Sequence, residues 1–331
     1  MGDVTRAGAF WDKQSHETSL KLWMAHAPVR RYINELISGN AEHWPLDWFQ
    51  ETFKGLQFGR ALSVGCGTGA LERDLIQRKI CTTVDAFDGS VASLAIARQL
   101  ALADGSAQSV RYYAADFNDP ILPRKTYGAV FCHQSLHHVA KLEKVFRAIL
   151  YALQDDGYLF IDEYIGPSRF DWTPALLAAA AKVYRTVVPP NARLFDELVA
   201  PIVPDDPSET FRSSEILPQL KRGFEIVAMR PYGGNLLSLI CPQVDWTQAP
   251  PDLIETLIRI EQESFQVLDT SYHAVVVARP KKRTRAYIAS SRYFIEPKLK
   301  RIGREVARLA RRRHRRSVGS TCKLASARAC Q

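Results

Sequence analysis

No two of the six cysteines share the CxxC spacing of a zinc or redox site, and Cys66, Cys81, Cys132, Cys241, Cys322 and Cys330 are too scattered for a disulfide framework. Their spacing excludes a cysteine-stapled module, predicts no metal site, and fits a reducing cytoplasm best. Long hydrophobic runs are missing as well. LLAAAAKVY from Leu176 and NLLSLICP from Asn235 are the longest apolar stretches, and both fall well short of the roughly 20 residues a spanning helix needs. The opening MGDVTRAGAFWDKQ has no apolar run behind a basic flank, so no secretory signal is expected. Internal repeats and low-complexity segments are not visible before the carboxyl-terminal tail.

What is present is an ordinary globular balance, 46% hydrophobic and 24% charged, in a chain long enough to bury a sizeable core. The net charge of +9 is misleading. Of the 44 Lys and Arg, 17 lie after position 280, where only 2 of the 35 acids fall, so residues 1–280 carry 27 basic against 33 acidic side chains. The body is therefore acidic and the basicity belongs to an appendage.

From residue 60 to about 163 short β-rich runs alternate with helix-length segments, the pattern of a parallel sheet with crossover helices. ALSV (61–64), CTTVDAF (81–87), VRYYAA (110–115), GAVFCH (128–133) and YLFIDE (158–163) read as five strands, and FEIVAM (224–229) and HAVVVA (273–278) as two more. Leu142, Phe146, Ile149 and Leu153 recur at helical spacing before the turn QDDG. Between the fifth strand and FEIVAM lies a segment too long for a bare loop, so a helical insertion over about 164–222 is expected to help form an acceptor pocket. Residues 1–55 read as an aromatic-rich helical cap, in which Trp11, Trp23 and Tyr32 are candidates for a lid, with core packing as the alternative. Residues 56–280 then form the main domain, and 281–331 a basic tail.

The strongest chemical signal is Gly65-Cys66-Gly67-Thr68-Gly69, directly after ALSV and before ALERDLIQR. Glycines are needed where backbone turns tightly and a ligand must approach without a Cβ between them. Dinucleotide enzymes use G-x-G-x-x-G at this turn; here the spacing is G-x-G-x-G, which disfavours a nicotinamide dehydrogenase.

LSVGCGTGALERDL resembles the first motif of class I S-adenosylmethionine-dependent methyltransferases, most like bacterial members acting on small molecules or glycans. The resemblance implies a Rossmann-like α/β fold, with seven mostly parallel strands and helices on both faces, and S-adenosylmethionine as cofactor. By that likeness Gly65, Cys66, Gly67, Thr68 and Gly69 pass beneath the methionine and ribose. Asp88, following Phe87, takes the ribose hydroxyls, Asp116 and Phe117 meet the adenine, and His133 with Gln134 lines the methionine end. All fall at carboxyl ends of strands, where open α/β sheets bind ligands. Two departures stand out. Ser63 stands where the family often has an acid near the methionine amino group, and Gly128 where it often has an Asp.

Methyl transfer mainly requires alignment of the acceptor and exclusion of water. For a hydroxyl acceptor a general base is needed, and His137, His138 and Glu163 are the candidates, each with a structural alternative of packing or anchoring. Tyr164 and Arg169 are candidates for the acceptor side, Arg169 through its fork of donors or through a plain salt bridge. The expected reaction is transfer to O or N of a small molecule or a glycan or lipid-linked acceptor. An RNA methyltransferase using the tail, and a noncatalytic cofactor-binding scaffold, are the alternatives; the acidic body and intact Asp88 and Asp116 count against them. In the tail, Leu299, Ile302, Val306 and Leu309 form one stripe of a basic amphipathic helix over 297–316. Contact with an anionic membrane at its cytoplasmic face, contact with nucleic acid, which is less expected, and a tail without a partner are its three readings.

Overall fold

The computed structural model describes residues 22–200, 206, 208–268 and 271–282. Contacts divide the chain into two units, Met1–Lys281 and Lys282–Gln331. The amphipathic stretch 297–316 lies outside the described residues, as does Trp11.

Seven strands form one sheet in the order β3-β2-β1-β4-β5-β7-β6. They are β1 (Phe58–Val64), β2 (Cys81–Asp88), β3 (Val110–Ala114), β4 (Tyr127–His133), β5 (Leu153–Tyr164), β6 (Phe224–Gly233) and β7 (His273–Pro280). The first five pair in parallel, and β7 runs antiparallel between β5 and β6. Along β4 and β7 nearly every side chain is buried. Continuous apolar runs such as AVFC and AVVVA are what a sheet covered on both faces requires.

The core lies on both sides of that sheet. One face is covered by α1 (Ala27–Ser38), α2 (Pro45–Thr52), α3 (Ala70–Gln77), α4 (Val91–Ala103), α6 (Pro174–Val187), α8 (Leu237–Ile240) and α9 (Leu253–Leu268); the other by α5 (Leu142–Ala152) and α7 (Ile216–Gly223). Local chemistry sets the helix ends. Ser90 caps α4 by accepting from the Ser93 amide at 3.0 Å. Gly39 ends α1 at φ +78°, donating to the Glu35 carbonyl.

Three expectations from sequence need correction. Phe49 of α2 meets Phe131 and Phe160 of the sheet with ring centroids 6.2 and 5.5 Å apart, so the described part of 1–55 shares the main core and is not a separate cap. Burial of such a ring contributes about 1.5–3 kcal/mol. Trp23 packs against His273 and Tyr32 is buried, which makes both core residues and not a lid. Finally, β5 begins at Leu153, within the expected helix and turn; a register irregularity between Tyr127 and Ala129 on β4 accommodates QDDG inside the strand.

The strand order reverses between β1 and β4, which are neighbours although the chain visits β2 and β3 between them. The loops leaving their carboxyl ends therefore diverge to opposite faces and leave a crevice between them.

Candidate active site

That crevice is a cavity of about 370 Å³, within the range of roughly 300–1,000 Å³ of small-molecule sites. Gly65 to Thr68 form part of its wall, with Gly69 closing the turn behind them. The amides of Gly65 and Cys66 donate to the Phe87 carbonyl at 2.9 and 3.2 Å, which ties the turn to the end of β2. Gly65, Gly67 and Gly69 have φ of +73°, +51° and +76°; a Cβ on Gly69 would come within 2.4 Å of the Tyr112 hydroxyl. Burial pushes the Cys66 thiol up, which favours its protonated form near neutral pH.

Asp88 stands at the end of β2 on the cavity wall. One carboxylate oxygen accepts from the Gly67 amide and the other from the Ser90 amide, each at 2.8 Å. Asp88 thus fixes the glycine turn and the start of α4 together. Phe87 itself is buried beneath the turn, its ring 5.8 Å from Phe117. After β3 the wall is made by Phe117 and Asn118, and Asp116 is not part of it. Asp116 is exposed and accepts from the Asn118 amide at 2.7 Å, capping its own turn.

His133 and Gln134 leave β4 on the opposite wall. The His133 Nδ1 lies 3.3 Å from a carboxylate oxygen of Asp162, whose other oxygen accepts from Tyr232 at 2.6 Å. Desolvation works against charge on His133, yet Asp162 holds its pKa above the ordinary value.

The three candidate bases divide sharply. Glu163 is fully buried and off the cavity wall. Its Oε2 accepts from the Ser135 and Leu136 amides at 2.8 and 2.7 Å, and its Oε1 accepts from the Tyr164 amide at 3.0 Å and hydrogen-bonds to the His137 Nδ1. With four groups to satisfy, Glu163 anchors the 3₁₀ turn Leu136–His138. His137 is buried behind the wall, where burial opposes its charge but the carboxylates of Glu163 and Glu209 push its pKa up to about 9. Of the three, His138 is on the wall. Burial and the charge on His137 pull its pKa well below the usual value, so it is a neutral imidazole near pH 7. Its Nδ1 is 3.1 Å from the Ser208 hydroxyl.

Tyr164 and Arg169, expected beside the acceptor, stand behind the wall. Tyr164 is buried and donates to the Pro167 carbonyl at 3.2 Å. The Arg169 guanidinium lies 4.0 Å over the ring of Phe211, and Phe211 is what faces the cavity. The structure also brings His137, His138 and Glu209 together, with ligand-type atoms within 4.8 Å of one another, where the sequence predicted no metal site. A protonated His137 offsets part of the negative charge of Glu163 and Glu209.

Residues 62–161 match the family model of the methyltransferase domain. The match is to a methyltransferase domain and covers less than half of the chain. Over 116 residues the chain is 31% identical to ubiquinone biosynthesis O-methyltransferase of Aeromonas salmonicida (strain A449), 35% of this chain and 48% of that protein. It is 33% identical over 116 residues to the enzyme of the same name from Bordetella avium (strain 197N), 35% of this chain and 46% of that one. The chain thus spans about half the length of these curated relatives. Geranyl diphosphate C-methyltransferase from Streptomyces coelicolor A3(2), solved with Mg²⁺, geranyl diphosphate and S-adenosyl-L-homocysteine, superposes with a TM-score of 0.50 at 13% identity, covering 85% of this chain and 99% of that one. That likeness is one of fold.

The cavity offers groups that S-adenosylmethionine could use. The glycine turn presents backbone to the cavity, Asp88 stands on its wall, and one buried carboxyl, Glu72, lines it with no hydrogen-bond partner for either oxygen among the described residues. A cationic ligand is the natural complement of such a group. Glu72, Asn118, Ser135, Ser208 and Phe211 had not been singled out in the sequence. Glu72 sits three residues past the glycine turn on what must be an inward helix position, a signal that was there to be read. Ser208 and Phe211 reach the site only through the path of the insertion.

Proposed function

We propose that this protein transfers the methyl group of S-adenosylmethionine to a hydroxyl of a small molecule with an apolar body, and that His138 receives the proton. The observation that carries this reading is the continuity of one cavity from the glycine turn to His138, Ser208 and Phe211. Cofactor and acceptor would share a single cavity. Bound there, the cofactor supplies an electrophilic sulfonium methyl, and the chain supplies the rest. Gly65 to Thr68 and Asp88 hold and orient the nucleoside. Leu71, Phe117, Ala140 and Phe211 keep water from the walls. Glu163 fixes the turn on which His138 stands, and a neutral His138 can take a hydroxyl proton as the oxygen is methylated. The two curated relatives are named as O-methyltransferases, which supports oxygen as the acceptor atom.

The test is incorporation of labelled methyl from S-adenosylmethionine into a panel of phenols, glycosides and lipid-linked sugars, with RNA as the comparison. Transfer to phenols or sugars supports the reading; transfer to RNA alone, or none with cofactor bound, overturns it. For the tail we propose a peripheral contact of 297–316 with anionic lipid at the cytoplasmic membrane face, supported by its apolar stripe within a basic segment. Equal sedimentation of the full chain and a chain ending at 281 with anionic vesicles would end that proposal.

A further inference from the structure

The first turn of α3 carries a fully buried carboxyl on the cavity wall. Glu72 has 0% exposure, lines the cavity beside Ala70 and Leu71, and neither of its oxygens has a hydrogen-bond partner. Directly beneath it on β1 lies Ser63, buried at 1% exposure, whose hydroxyl and the Glu72 amide are the groups that favour its charge. Ser63 is also the position at which the family often carries an acid.

We propose that Glu72 is the carboxylate that receives the cationic methionine end of S-adenosylmethionine, a role moved from the strand position now held by Ser63 to the helix above it. The inference rests on the reading of this cavity as the cofactor site and names a binding residue within it.

A buried carboxylate without a partner is costly. Here burial pushes the Glu72 pKa up to about 7. The groups around it relieve that cost only in part. From β3 the Tyr112 hydroxyl approaches, itself buried without a partner, and from the glycine turn the Cys66 thiol, held protonated. The two cations that help are otherwise engaged. Arg73 pairs with Asp104 at 3.0 Å and donates to the Thr68 carbonyl at 2.8 Å, and His133 pairs with Asp162. The protein thus holds on the cavity wall a buried carboxyl whose pKa burial has raised toward neutrality. Occupation by either cation would favour the ionised form, so cofactor binding should be in competition with a proton on Glu72.

The experiment is calorimetric titration of the full chain and its Glu72→Gln variant with S-adenosylmethionine, S-adenosylhomocysteine and 5′-methylthioadenosine at pH 6, 7 and 8. The last ligand keeps the nucleoside but carries neither ammonium nor sulfonium, so it reports on folding and on the nucleoside site. Expected for the native chain is about ten-fold weaker S-adenosylmethionine binding at pH 6 than at pH 8, from proton competition at a group titrating near 7. In Glu72→Gln the affinity at pH 8 should fall at least ten-fold and the pH dependence largely disappear, while 5′-methylthioadenosine binds as before. Adding Ser63→Asp to Glu72→Gln should restore part of the affinity. If S-adenosylhomocysteine is weakened too, the ammonium is the partner; if it is spared, the sulfonium is, and both results uphold the role. Equal affinities and equal pH profiles in the native and Glu72→Gln chains, with 5′-methylthioadenosine bound normally, overturn it. A native chain that binds none of the three ligands overturns instead the cofactor reading on which it rests.

Discussion

Ser135 occupies the place where a side chain on Gly65 would be: a Cβ there would lie 2.3 Å from the Ser135 Cβ. The Ser135 hydroxyl donates to the Val64 carbonyl at 2.7 Å. The glycine turn after β1 is thereby locked against the turn after β4 that carries His138. Gly65→Ala would meet both a steric clash and a φ of +73°, so the two turns must move apart. The expected result is at least ten-fold weaker cofactor binding together with a lower Tm, the backbone strain alone costing on the order of 1–3 kcal/mol. Calorimetry with S-adenosylhomocysteine and a thermal melt check it, and an unchanged affinity would mean that the two turns are not coupled.

Glu163 makes the same region rigid from below. Glu163→Ala removes the acceptor of three backbone amides and of His137 at once, and should destabilise the protein by about 3–5 kcal/mol, measured by urea unfolding. The sign with pH follows from His137. Its folded pKa is raised to about 9, so its contribution is fully present below the unfolded value of about 6.5 and is lost as pH rises toward 9. The gap in stability between native and Glu163→Ala chains should therefore narrow from pH 6 to pH 9.

Asp88 joins the turn to the start of α4 through the Gly67 and Ser90 amides. Asp88→Ala should cost cofactor affinity at least ten-fold, about 1.4 kcal/mol or more, through loss of the ribose acceptor as well as of the turn's shape. Asp116→Ala, on the exposed side of its own turn, should cost far less. Titration of both variants with S-adenosylhomocysteine would distinguish them; equal losses would return Asp116 to the adenine site.

Parts of this architecture were legible in the sequence because they are local. The parallel strands appear as apolar runs, and the glycine spacing fixes where backbone faces a ligand. Pairing between distant elements is not local. Nothing in FEIVAM or HAVVVA says that the last strand inserts antiparallel between β5 and β6. Proximity in sequence also misled: Tyr164 ends β5 and Arg169 follows it closely, yet both stand behind the wall, and Phe211, far along the insertion, takes the place facing the cavity. Glu163 drew attention as a carboxylate at a strand end, but its backbone partners, invisible in sequence, use it up.

His138 differs from its neighbour in exposure to the cavity and in charge. His137 is protonated between carboxylates, and that positive charge, with burial as the larger cause, depresses the pKa of His138. A base must be neutral to act, so a depressed pKa keeps His138 competent through neutral pH, and turnover should fall only where the pH drops below that value. The acid limb of kcat is therefore expected below 6.5. His138→Ala should lower kcat by about 10²–10⁴-fold while cofactor affinity stays near native. His137→Gln removes the neighbouring charge but not the burial, and should shift the acid limb upward, toward the ordinary histidine value. An acid limb that stays in place in both variants would show that neither histidine sets the protonation state of the reaction, and the base would have to be sought at His133, the remaining imidazole on the cavity wall.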